Sequence, residues 1–163
     1  MGFLKRLLGG SGTEKLIHAL SFEGESPGKT WATRREAALK LATSGGREAV
    51  PALYAAMNAA VATMWSRRAE LSPSELDCLL SWELKVLGHA EAEWYSLAER
   101  TSPLTALRIG DFELAWSTAL VYADCLARLG EKAAPQELLS ELQKLEGAQW
   151  KSAEWLLRKA GLL

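Results

Sequence analysis

The chain has 163 residues, 48% of them hydrophobic and 24% charged, with 19 basic and 20 acidic side chains and a net charge of −1. That length supports one domain able to bury about 70% of the surface its unfolded form exposes, without a disulfide or metal staple. The charge balance provides no clustered basic excess of the kind phosphate binding needs, which argues against nucleic acid. Cys78 and Cys125 are too few for a disulfide framework. Each sits in an apolar helical pattern and reads as a small buried hydrophobe, in keeping with a reducing cytoplasm. No stretch reads as a membrane span, and the opening Met1–Gly10 run is too short and interrupted for a signal peptide.

Helix signals then follow one another along the chain. Residues 1–12 form a separate N-terminal segment: Phe3, Leu4, Leu7 and Leu8 oppose Lys5 and Arg6, and Gly9-Gly-Ser-Gly12 is a flexible break. Residues 13–163 read as a single helical domain. Thr13 is placed to cap a short helix carrying Leu16, Ile17 and Leu20, followed by a loop at Glu23–Gly28. Thr30 is the next candidate cap, for a helix that stops at Gly45-Gly46. A helix from about Arg47 carries Pro51 in its first turn and continues through Trp65. Ser72-Pro-Ser-Glu75 is a capping box for the helix with Leu76 to Leu87, and another helix follows from about Ala90 to a break at Ser102-Pro103. Asp111 reads as the cap of the longest amphipathic stretch, Phe112 to Leu129, ending at Gly130. Pro135 opens a helix through Leu145, and the last helix spans about Gln149 to Ala160. No alternating β-branched run suggests a strand.

The inter-helix breaks repeat. Taking Leu41, Leu87 and Leu129 as equivalent gives spacings of 46 and 42 residues, in or close to the range of two-helix HEAT or armadillo units. The first unit, with Arg34, Ala37, Ala38 and Leu41, then Gly45, then Ala49-Val-Pro51, Leu53 and Met57, resembles the bacterial HEAT-like repeat of phycobilin-lyase-type proteins. The resemblance is good over residues 30–64 and weaker beyond. It implies a short all-α solenoid of about three stacked helix pairs, capped at both ends, with the second helix of each unit on the concave side. Gly46 stands where this family often has an aspartate that ties neighbouring repeats, so the packing between units is expected to rest on apolar residues. Such an architecture hosts many unrelated functions and does not name one.

The chemistry-bearing residues are sparse. His18 and His89 form no cluster with cysteines at metal-ligand spacing, so neither metal nor cofactor is expected. No serine or aspartate pairs with a histidine base, so no catalytic residue is assigned. Gly24-Glu-Ser-Pro-Gly-Lys-Thr30 ends as phosphate loops do, but only three residues separate its glycines and no strand precedes it. It reads as a loop leading into a helix. Arg34-Arg35 and Arg67-Arg68 are flanked by Glu36 and Glu70 and read as a solvated helix face.

Seven tryptophans are several times the usual number, and aromatic anchors are favoured at interfaces. The expected contact surface is therefore Tyr54, Asn58 and Trp65 of the first unit with Trp94 and Tyr95 of the second, joined by Phe3, Leu4 and Leu7 of the N-terminal segment. The expected function is a non-catalytic, cytoplasmic adaptor or regulatory scaffold that binds a protein or peptide, a toxin-immunity inhibitor being one version. Homo-oligomerisation through the N-terminal segment is a further route. The alternatives are an accessory, lyase-like factor for a bulky aromatic ligand, marked by a deep pocket of several tryptophans, and a nucleic-acid-binding repeat protein, marked by a continuous basic stripe.

Overall fold

In a computed structural model, residues 12–44, 46–72 and 103–144 are described. They form helices α1 (Gly12–Ala19), α2 (Pro27–Ser44), α3 (Val50–Glu70), α4 (Pro103–Arg128) and α5 (Ala134–Leu142), with a 3-10 turn at Arg47–Ala49 before α3. No strand occurs among the described residues, so the fold is all-α there. None of the described helices is long and apolar enough to cross a membrane. The second predicted unit and the closing helix lie outside the described residues, as does the 1–8 segment.

Three expected caps move, the first by little: α1 begins at Gly12, so Thr13 lies inside it. The second helix begins at Pro27, a turn earlier than Thr30. Ser26 takes the cap, its Oγ accepting the Lys29 N–H at 3.3 Å, with proline in the first helical position. Likewise Asp111 opens nothing: α4 starts at Pro103 and runs through Gly110 and Asp111. An interior glycine and aspartate cost α4 about 1 kcal/mol or more in propensity, an amount that tertiary packing readily overrides. The expected stop at Gly130 holds. Its φ of 98° is left-handed, and the Gly130 and Glu131 N–H groups donate back to Ala127 and Leu126 carbonyls at 3.0 and 2.9 Å, a Schellman ending.

The core gathers on α4. Phe112, Ala115, Trp116, Ala119, Tyr122, Ala123, Cys125 and Leu126 are all buried, and together they span about half of the helix circumference. Each neighbour offers a narrower stripe: Leu53, Met57, Ala60 and Met64 from α3 at helical spacing, Trp31, Ala38 and Leu41 from α2, and Leu138, Leu139 and Leu142 from α5. Helix α4 makes its most extensive contact with α3 and its next with α2, while α1 packs on α2 and α5 on α4. Helices α2 and α3 therefore meet chiefly through α4. The groove where they part from each other holds the surface features of interest.

Candidate functional site

Trp31 lies one turn into α2, 3% exposed. A buried indole N–H needs an acceptor, and it finds Asp111 Oδ1 at 2.9 Å, from α4. The other carboxylate oxygen accepts from Arg67 Nε at 2.5 Å, from the end of α3. One aspartate thus ties three helices. The Arg67 guanidinium also reaches both oxygens of Glu70 at 3.0 and 3.1 Å. Its pKa is held above the ordinary arginine value, first by the Asp111 hydrogen bond and then by that to Glu70. The described helices are thus held by more than apolar contact: α4 supplies an aspartate tie to α2 and α3.

Arg34, one turn beyond Trp31, sits over the indole ring at 4.9 Å and donates its Nε to the Phe22 carbonyl at 2.8 Å. Stacking and one backbone bond hold the guanidinium plane, while its terminal N–H groups remain available. Among the described residues Arg34 forms no ion pair. The α1–α2 loop closes over this point. Gly24 donates its N–H to Thr30 Oγ1 at 2.9 Å, and a Cβ at Gly24 would meet the Phe22 ring at 2.9 Å, so a larger residue there would have to displace that ring.

Two clefts flank Arg34. The first, about 360 Å³, is polar: the Glu23–Pro27 loop and Thr30 face Thr63, Arg67 and Asp111, with Trp31 and Arg34 between. The second, also about 360 Å³, is apolar: Ile17 and Leu20 of α1 face Ala52, Ala55, Ala56 and Ala59 of α3. Arg34 and Glu23 line both. Both Asp111 oxygens are engaged by Trp31 and Arg67, the Thr63 hydroxyl donates to the Ala59 carbonyl at 2.9 Å, and among the described residues no histidine lines either cleft. Among the described residues no group of three or more His, Cys, Asp or Glu side chains is placed to hold a metal ion.

The predicted contact residues fall partly within reach. Tyr54, Asn58 and Trp65 share one face of α3; Asn58 is exposed and the two aromatics are half-buried against the core. Partial desolvation raises the Tyr54 phenol pKa, followed by the charges of Glu137 and Glu131, which places Tyr54 towards the α4–α5 turn. Trp65 carries the Arg68 guanidinium 5.6 Å from its ring centre. This face is separate from the clefts, whose lining contains none of the three. Trp94, Tyr95, Phe3, Leu4 and Leu7 lie outside the described residues. The solvated-face reading of the arginine pairs is corrected for Arg34 and Arg67, which line the polar cleft. The Gly24–Thr30 stretch was the signal for this site, but its loop spends the Gly24 N–H on Thr30 and has Pro27 without one, so it frames the cleft without cradling a phosphate.

No protein-family model, curated protein or solved structure matches the chain, so the functional reading stands on this geometry.

Proposed function

We propose that the chain is a non-catalytic recognition module, a short HEAT-like helical stack working in the cytoplasm, that binds a protein or peptide at the cleft where α2 and α3 diverge. The observation that carries the reading is Arg34: stacked on the buried Trp31, fixed by the Phe22 carbonyl and, among the described residues, in no ion pair, it is a pre-oriented donor at the junction of a polar and an apolar cleft. A fixed arginine on a rigid helix loses little freedom on binding, which is the economy that recognition sites exploit. The open α3 face with Tyr54, Asn58 and Trp65 is the competing surface. Among the described residues Trp31 is the one tryptophan lining these two clefts, which favours the peptide reading over the aromatic-ligand alternative. Among the described residues Arg34 and Arg67 are interleaved with Glu23, Glu25 and Asp111 around the polar cleft, which favours the peptide reading over the basic-stripe alternative.

Selection of a displayed random-peptide library on the purified chain tests this. Selected peptides are expected to lose at least about tenfold in affinity to Arg34→Gln, the scale of one charge-assisted hydrogen bond, and to be indifferent to Tyr54→Ala with Asn58→Ala. The reverse pattern moves the site to the α3 face. Failure to enrich any peptide overturns the reading.

A further inference from the structure

We infer that the two clefts form a single site for the free C-terminus of a peptide ending in an apolar residue, with the terminal carboxylate on Arg34 and the last side chain among the alanines of α3. The inference rests on the peptide-binding reading and adds to it the chemistry of the ligand.

The clefts share Arg34, so an anion held there lies directly beside the apolar cleft lined by Ile17, Leu20, Ala55 and Ala59. A ligand that fills both must carry its negative charge and its apolar group next to each other. Within an extended chain, neighbouring side chains point to opposite faces, so an internal acidic residue beside a leucine cannot reach both clefts from one side. A C-terminal residue can, because its carboxylate and its side chain leave the same Cα. The guanidinium fork of Arg34 matches a carboxylate, and with its Nε committed to Phe22 the terminal nitrogens remain to hold one. Glu23, exposed at the rim of both clefts, is placed to accept the N–H of the last peptide unit. Small side chains on α3 make the room: a volume of about 360 Å³ takes a branched or aromatic side chain. Carboxylate capture beside a side-chain pocket is an established mode of peptide recognition, and it commits the site to a chain end.

The test titrates fluorescein-labelled Gly-Ser-Gly-Ala-Leu into the full chain and follows anisotropy, beside the same peptide with a C-terminal amide and one ending in aspartate. The free-acid leucine peptide is expected to bind, with the amide and the aspartate peptide each at least about tenfold weaker. Arg34→Gln is expected to remove the preference for the free acid. Ala55→Leu, at an exposed position, fills the apolar cleft and should weaken the leucine peptide while leaving thermal unfolding unchanged. Equal binding of acid and amide, with sensitivity to Arg34→Gln, overturns the C-terminal assignment and leaves peptide recognition standing. Binding of neither peptide also overturns it, and the library selection then decides separately whether the broader reading falls.

Discussion

Trp31 and Asp111, 80 positions apart in sequence, are joined by an indole N–H to carboxylate hydrogen bond of 2.9 Å. That bond turns the start of α2 towards α4 and, through the second oxygen of Asp111, brings in Arg67 from α3. The floor of the polar cleft is therefore also the point at which three helices are held in register.

Removing this acceptor should be costly. Asp111→Ala leaves the Trp31 N–H buried without a partner and deprives Arg67 of its main one, and a loss of about 2–3 kcal/mol is expected. Asp111→Asn keeps an acceptor for one of the two donors and should lose less. Urea unfolding checks this: the midpoint should fall with an unchanged denaturant slope. A shift below about 0.5 kcal/mol in the alanine variant would show that the tie contributes nothing.

Two hydroxyls give the opposite expectation. Thr118 Oγ1 and Tyr122 OH are buried in α4 without a hydrogen-bond partner. Thr118→Val and Tyr122→Phe keep the shape and remove the unsatisfied group, so each should stabilise the chain by about 1 kcal/mol. Lower stability in both would mean that water fills these positions in solution.

Burial also governs the alkaline limit. It pushes the Cys125 thiol up to about 11 and the Tyr122 phenol up to about 12, in the latter against the lowering charges of Arg34 and Arg35. Both folded-state values exceed the unfolded ones, so the unfolded chain releases these protons first. The associated stability is complete below about pH 8 and is lost as pH rises through the 9–12 window. Equilibrium unfolding at pH 7, 9 and 10.5 should trace the decline. In a Cys78→Ser background, the Cys125 thiol should react with a disulfide reagent only at the rate of unfolding; fast native labelling would contradict its burial.

Gly130 sits at φ 98° in the turn that ends α4, with open space around the position of a Cβ. Gly130→Ala therefore strains the backbone without a clash, at a cost of about 1–2 kcal/mol. Gly28→Ala, in the first turn of α2 with equally open space, should be neutral or slightly stabilising. Paired thermal melts give the comparison, and an equal response of the two would remove the conformational argument.

Local chemistry was enough to place most of the described elements. The proline in the first turn of α3, the glycine stop after α4 and the apolar spacing of Leu53, Met57 and Met64 are near-neighbour effects that a linear reading captures. The same reading went astray where a residue's role lies across the molecule. Asp111 looks like a cap because aspartate before an apolar run usually is one; it stays inside a helix because a buried indole and an arginine from two other helices need its oxygens. Arg34 and Arg67 look solvated because their sequence neighbours are glutamates, and nothing local announces that α2 and α3 part on either side of them. Periodicity and turn residues, which act over a few positions, determined that this chain is helical and where several helices begin and end. The clefts, the aspartate tie and the junction at Arg34 depend on contacts between residues tens of positions apart, and only the packing of three helices around α4 decided those.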